Sequence, residues 1–508
     1  MADSTEQRPD SDPQTQDNER NVGRIIARNT IFGLGEQFGL RLTNFLFSVF
    51  IIRSLGDSEF GQYSIVLAWA SLFSVIGDMG ITQYLTRETA RDPKNAATWF
   101  WDVVVLRLLL AIVAIVVTVG GAILYGYPPE IVLGIFLFTL TYFFQVFLAP
   151  LTSLLVGNER IDVVSVLRVI NQIIFIITGS IFLLSGFNFI ALIVAAILTM
   201  PILIVLSLWV ILRNEYGPPP FRIRVSTWRF LLIAGFPFAF TQLSLSFAFD
   251  SDTIFLSFWY PDSVVGWYAA AYRLMLTLLI FSNPFNEAIM PSLARQHATD
   301  PDSVTIWYHR TVRIMILLLL PIAVGGTLVA DQLIVFLYGI EFAPAAIAFA
   351  ILIWYIPFHI YTSFSGNLAN VMRKEGQSAR IFGIEGGLNI VLNIIMIPPL
   401  GLIGAAFATV ITDIVGAALF YFLLRKELGP GLQLRRILRV MAASLVMGVV
   451  VFLLRDLNLF LVIAVGAGVY FVTMNVFGAV TRDERQWALE MFRKLLKRTP
   501  LRRLLSTG

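Results

Sequence analysis

Fourteen apolar runs, each long enough to cross a bilayer, leave this chain few folds to choose from. A hydrocarbon layer about 30 Å thick takes roughly 20 residues of α-helix to span. Inside it no water is available to backbone N–H and C=O groups, so a spanning segment must satisfy them within itself or in a closed barrel. The runs lie at about 29–52, 60–82, 98–125, 130–156, 163–185, 188–212, 230–259, 263–290, 311–337, 344–371, 379–398, 401–424, 437–454 and 459–480. All are of helix length. Charged residues make up 14% of the chain, against about 25% in soluble domains. The expected fold is therefore all-α and polytopic, with about 14 transmembrane helices. Pro150, Pro201, Pro237, Pro284, Pro321 and Pro357 fall inside runs, where they are expected to kink the helices.

Lysine and arginine orient the helices, because cytoplasmic loops hold them in excess. With the N-terminus cytoplasmic, 32 of the 37 Lys and Arg residues fall on the cytoplasmic side. Two, Arg53 and Arg455, fall outside, and three, Arg41, Arg107 and Arg273, lie within spans. Both termini are thus expected in the cytoplasm, with the chain in the cytoplasmic (inner) membrane. Residues 1–28 are polar and acidic and read as a disordered tail. No apolar core follows a basic start there, so they do not read as a signal peptide. Residues 481–508 alternate basic residues with Trp487, Met491, Phe492, Leu495 and Leu496. That pattern fits a basic amphipathic tail on an anionic leaflet, or an ordinary positive anchor.

Two internal echoes organise the chain. A shift of 205 residues lays Asp57-Ser58-Glu59-Phe60-Gly61-Gln62-Tyr63 on Asp262-Ser263-Val264-Val265-Gly266-Trp267-Tyr268, and Gln37 on Gln242. A shift of 212 lays Arg213-Asn214-Glu215 on Arg425-Lys426-Glu427. The chain thus reads as an N-terminal lobe (29–212, spans 1–6), a basic, proline-rich linker (213–229), a C-terminal lobe (230–428, spans 7–12) and an appendix of two helices (429–480). Six spans per copy implies a pseudo-two-fold axis along the membrane normal, with a site at the interface of the copies.

Polar residues inside spans are costly and face protein or water. Gln37, Arg41, Asn44 and Ser48 share one face of span 1, and Gln242, Ser246, Asp250, Thr253 and Ser257 one face of span 7. Ser64, Ser71, Ser74 and Asp78 line span 2; Arg273, Thr277 and Glu287 line span 8. Four stripes on two related pairs fit one shared cavity. The serine and threonine hydroxyls read as ordinary bonds within or between helices. Arg41 and Arg273, cations with no carboxylate one turn away, read as ligands for an anion. Asp250 and Asp252 either carry a coupling ion or pair with an arginine. Asp78 and Glu287, near the cytoplasmic ends of their spans, are weaker coupling candidates. Arg107, with Asp102 in the same helix, reads as local structure, and His359 as a packed polar residue.

Several chemistries are excluded. There is no cysteine, so no disulfide or thiol chemistry, and only three histidines. No G-x-x-x-x-G-K-[ST] loop is present. No loop between spans is long enough for a catalytic domain, which argues against a membrane enzyme such as a polysaccharide polymerase or ligase. No cofactor, metal or nucleic acid is expected; H+ or Na+ is the candidate coupling ion.

The segments NTIFGLGEQFGLRLTNFLFSVFIIRSLGDSEFGQYSIVLA, DMGITQYLTRETARD, DTIFLSFWYPDSVVGWYAAAYRL, LYGIEFAPAA and GLIGAAFATVITDIV, in that order, resemble bacterial and archaeal Wzx-type polysaccharide (O-antigen) flippases. These belong to the multidrug/oligosaccharidyl-lipid/polysaccharide (MOP) exporter superfamily. The resemblance covers nearly the whole chain. It implies two six-helix lobes around a cationic cavity, alternating access, and a lipid-linked sugar diphosphate as substrate. Arg41 and Arg273, with Gln37, Asn44 and Gln242, would meet the head group. Membrane lipids, a polysaccharide polymerase and chain-length proteins would be its partners in making cell-surface polysaccharide such as lipopolysaccharide. A peptidoglycan lipid-precursor flippase and a cation-coupled multidrug exporter of the same superfamily stay open as alternatives. The charge split makes one direct prediction. Reporter fusions after Leu428 and after Gly508 should both report cytoplasm, and a periplasmic signal at either overturns the assignment.

Overall fold

A computed structural model describes residues 13–92, 98–157, 160–213, 221–279, 290, 293, 301–429 and 434–479; the side chains of 13–38, Arg41, 301–303 and Leu434 lie outside the description. Within these residues the chain is helical, without strands. The helices are α1 (Pro13–Asp78), α2 (Ile81–Arg91), α3 (Phe100–Tyr125), α4 (Pro129–Thr139), α5 (Thr141–Gly157), α6 (Ile161–Leu184), α7 (Phe189–Arg213), α8 (Trp228–Trp259) and α9 (Asp262–Leu278). They continue with α10 (Pro301–Leu328), α11 (Ala330–Tyr338), α12 (Ala345–Leu352), α13 (Tyr355–Val371), α14 (Glu375–Leu400), α15 (Leu402–Leu428), α16 (Leu434–Leu453) and α17 (Leu459–Val476).

Among the described residues, 12 helical stretches are long and apolar enough to span a membrane. Two local features account for the difference from the fourteen runs. Spans 1 and 2 follow each other along α1 across a kink at Gly56, whose φ of 73° lies in the left-handed region that favours glycine. Span 8 is described only as far as residue 279, which leaves α9 short. The tail differs as well. Its residues from Pro13 onward already belong to α1, in keeping with the Gln, Glu, Arg and Ala content of 14–28, all good helix formers. Proline also acts unevenly. Pro150, Pro201, Pro237 and Pro321 sit inside continuous helices. Pro357 instead follows a break at Ile353–Trp354 that separates α12 from α13. Pro284 and the 481–508 tail lie outside the described residues.

Contacts divide the chain into two compact units, Met1–Gly266 and Trp267–Gly508. In the first, α1 packs on α3, α4, α6 and α8, and α2 packs on α5 and α8. Span 7, which is α8, therefore buries its face within this unit, and the division falls after the 213–229 linker expected from sequence. The core here joins Val104 and Ala111 of α3, Val146 and Leu151 of α5, and Leu203 and Ile211 of α7. In the second unit, α14 packs on α15, while α12 and α13 also pack on α15. The two C-terminal helices are not free-standing. Both α16 and α17 pack on α10, and the Tyr470 hydroxyl donates to the Leu317 carbonyl at 2.6 Å.

The first echo meets itself in the first unit. A β-carbon on Gly61 would strike the Asp262 carbonyl, and one on Gly266 would strike the Asp57 carbonyl. The Gln62 amide donates to the Asp262 carboxylate at 3.0 Å. Each copy of the motif thus sets its glycine against the backbone of the other's aspartate. Glycine is required here by close approach, since any larger residue must push two backbones apart. Gly61→Val or Gly266→Val should each destabilise the protein by about 1–3 kcal/mol, read as a lower Tm of the detergent-purified chain. Gly120→Ala, with nothing within 4 Å of the added carbon, should not lower it.

Candidate functional site

Span 2 ends on a charge that the fold neutralises. Asp78, the last residue of α1, meets the Arg107 guanidinium of α3 at 3.0 Å. Arg107 also donates to the Gln145 carbonyl of α5 at 3.1 Å. The Thr82 hydroxyl of α2 donates to Asp78. Four helices are thus tied at one ion pair, with the arginine side chain buried and the aspartate mostly so. Asp78, a coupling candidate by sequence, is held here as a structural partner.

Asp102 is not the partner of Arg107. Five residues along a helix turn the side chain about 140° away, so the two point to different neighbours. Asp102, fully buried at the start of α3, instead accepts from the Arg224 backbone N–H and from its guanidinium, at 3.1–3.2 Å for the latter. This pins the described end of the linker to α3, an interaction between residues 122 apart in sequence.

Asp250, half-buried in α8, is hydrogen-bonded to Ser71 of span 2. Asp252, two residues on, is 1% exposed. Being two apart on a helix, the carboxyl groups leave opposite sides of α8, so a single shared ion is not built by their spacing. Below them aromatic rings gather. Trp69 lies edge-on to Tyr127 and Phe258, and the Tyr127 hydroxyl shares a 2.5 Å hydrogen bond with Ser257. Tyr127 lies between α3 and α4, and burial pushes its hydroxyl well above the usual tyrosine range, so it stays protonated.

The remaining candidates are placed as follows. Asn44 of α1, Gln242 of α8 and Arg273 of α9 are exposed. Among the described residues Arg273 forms no ion pair. Gln37 and Arg41 belong to α1, with side chains outside the described residues, and Glu287 lies outside them altogether. The hydroxyls of Ser48, Ser64, Ser74, Ser257 and Thr277 all donate to carbonyls three or four residues back in their own helices. That is ordinary back-bonding.

Sequence reasoning passed over one group. Glu385 of α14 and Asp413 of α15 each sit near the middle of an apolar helix, and His359, read from sequence as a packed polar residue, lies early in α13. The signal was available: an acidic residue at the centre of a span, twice, in neighbouring helices. His359 Nδ1 lies 3.4 Å from the Asp413 carboxylate.

The Asp78–Arg107 arrangement has a measurable consequence. Removing one partner of a buried pair leaves the other charge uncompensated, at a cost of about 3–5 kcal/mol. Arg107→Ala and Asp78→Ala should each lower Tm and membrane abundance, with the lower end of that range expected because Asp78 keeps some exposure. Combining Asp78→Asn with Arg107→Gln should recover much of the loss. Equal loss in the single and double variants would show that the pair does not couple.

Comparison with known proteins places this geometry. Residues 26–297, more than half of the chain, match the family described as polysaccharide biosynthesis protein. Two relatives are from Haloferax volcanii. One, a probable low-salt glycan biosynthesis flippase, Agl15, is 23% identical over 479 residues, covering 93% of this chain and 97% of its own. The other, a probable flippase, AglR, is 23% identical over 412 residues, covering 78% and 82%. Among solved structures, the lipid II flippase MurJ in an inward closed conformation superposes with a TM-score of 0.70 at 16% identity, covering 87% of this chain and 97% of its own. An inward-facing multidrug resistance MATE transporter of the MOP superfamily gives 0.62 at 15% identity, covering 78% and 98%. The chain belongs to the polysaccharide biosynthesis protein family and has the fold of the MOP-superfamily flippases and exporters.

Proposed function

We propose that this protein is a flippase that moves a polyprenyl-diphosphate-linked oligosaccharide from the inner to the outer leaflet of the cytoplasmic membrane. The head group would cross by alternating access while the lipid tail stays in the bilayer. The observation that carries the reading is likeness along nearly the full length of both chains to a protein named as a glycan biosynthesis flippase. Arg273 supports it: an exposed guanidinium within an apolar segment that forms no ion pair among the described residues. A cation kept in such a segment without an ion pair among the described residues suits an anionic ligand, and the donor fork of arginine suits a diphosphate. Arg41, the other intramembrane cation on a polar stripe, is proposed to share the head group. Asn44, Gln242 and Gln37 would add hydrogen bonds to sugar or phosphate.

Complementation of surface-polysaccharide display, scored beside membrane abundance, tests this. Arg273→Ala should abolish display at normal abundance, since a charge-assisted bidentate contact is about twice as strong as a neutral hydrogen bond. Arg273→Lys should restore part of it, because the charge survives and the fork does not. Normal display with Arg41→Ala and Arg273→Ala combined would end the head-group assignment. Resistance to drugs in a sensitised strain, without any effect on display, would favour an exporter instead.

A further inference from the structure

The second unit holds charges that its own packing does not neutralise. Glu385 lies in α14, on the same face as Asn389 and Asn393, one and two turns further on. Its Oε1 is buried and has no hydrogen-bond partner among the described residues. The carboxyl rests against the α-carbon of Gly416 in α15, where a β-carbon would collide with it. One turn before Gly416 is Asp413, 8% exposed, whose charge acts on Glu385. Asp413 is hydrogen-bonded to Tyr355 as well as to His359. The His359 ring is held in turn by stacking on Tyr355, centroids 4.6 Å apart and planes within 17°.

We propose that Glu385, Asp413 and His359 form a proton-binding site in the second unit, with Glu385 carrying the exchangeable proton. With both carboxyl groups ionised, two negative charges would share a low-dielectric interior, and the buried Oε1 of Glu385 has no hydrogen-bond donor among the described residues to stabilise its share. An ionised carboxylate so placed costs several kcal/mol, and two carboxylates sharing a site resist double ionisation. The stable state therefore keeps a proton on Glu385. Asp413 differs, because His359 and Tyr355 both donate or share hydrogen bonds with it. Release follows when the site is hydrated: the Glu385 O–H bond breaks, the proton leaves to water, and the electron pair stays on the carboxylate, which gains one negative charge.

Of the other titratable groups on the packed elements, His309 of α10 lies beside the Tyr308 ring, and its buried Nε2 has no hydrogen-bond partner among the described residues. Tyr361 of α13 bonds Tyr308 of α10 at 2.9 Å, with Tyr421 of α15 acting on both. Tyr268 of α9 reaches Thr409 of α15. At the end of α15, Glu427 is paired with Lys374, while Arg425 lies over Tyr421 and Phe422. Arg380 of α14 is exposed, and α12 carries no titratable side chain.

That discharge of this site drives transport rests on the transport reading above; that it holds a proton does not, and the two are tested separately. In the purified full chain in nanodiscs, the infrared carbonyl band of a protonated carboxyl should be present at neutral pH. It should disappear in Glu385→Gln, an isosteric change with little reason to unfold the protein. Gly416→Ala, which displaces the carboxyl, should shift its titration. Absence of the band, or its persistence unchanged in Glu385→Gln, overturns the site. In proteoliposomes, exchange of a short-chain polyprenyl-diphosphate disaccharide should be stimulated by a pH gradient in the wild type. Glu385→Gln should lose that stimulation and keep gradient-independent exchange. Stimulation that survives in Glu385→Gln, or that follows a sodium gradient alone, overturns the coupling. If the wild type does not move the probe, the transport reading falls and the coupling with it, while the infrared result still decides the site.

Discussion

Every feature of this protein answers to one constraint: charge and backbone polarity must be satisfied without water. Helices meet it for the backbone, each N–H reaching a carbonyl four residues back. Side chains must meet it by pairing. In the first unit Arg107 does so twice, with Asp78 on α1 and the Gln145 carbonyl on α5, while Thr82 of α2 donates to the aspartate. One ion pair therefore ties four helices together. Asp102 and Arg224 repeat the device at the start of α3, tying down a connection that would otherwise be held by little apolar burial.

Close backbone approach is the second device. In membranes helices gain little from hydrophobic burial against one another, and small residues let dispersion and polar contacts act at short range. The facing glycines of the repeated motif, Gly61 and Gly266, belong to this class. Gly416 uses the same freedom differently, since the space left by its missing side chain is occupied by a carboxyl group. A helix surface can thus be opened for packing in one place and for a titratable group in another.

The two units treat their acidic residues differently. In the first, Asp78 and Asp102 are matched by arginines, and Asp250 by a serine hydroxyl. In the second, Asp413 has an imidazole and a tyrosine, and the buried Glu385 Oε1 has no hydrogen-bond partner among the described residues. Arginine keeps its charge at any physiological pH, so its pairs are permanent fixtures. A carboxyl facing a carboxyl and an imidazole can exist in more than one protonation state. Permanent pairs suit scaffolding; exchangeable ones suit work.

Helix type and membrane character were legible in the sequence, because hydropathy over twenty residues is a local property and fixes what can cross a bilayer. The family was legible too, through the order of its degenerate motifs. The same local reasoning located Asp78, Arg107, Asp250 and Arg273 as residues that needed an explanation. It could not choose their partners. Arg107 has Asp102 five residues away and Asp78 twenty-nine residues away, and helix geometry turns the nearer one aside. Nor could it separate hydroxyls that bond their own helix from those that bond a neighbouring one, since both show the same spacing. Glu385, Asp413 and His359 come from three different helices, so their meeting is a product of packing alone. Sequence by itself determined which segments enter the membrane and which charges go with them. Only tertiary structure decided which of those charges are neutralised, because neutralisation depends on distances of a few ångströms between helices that the chain does not join directly.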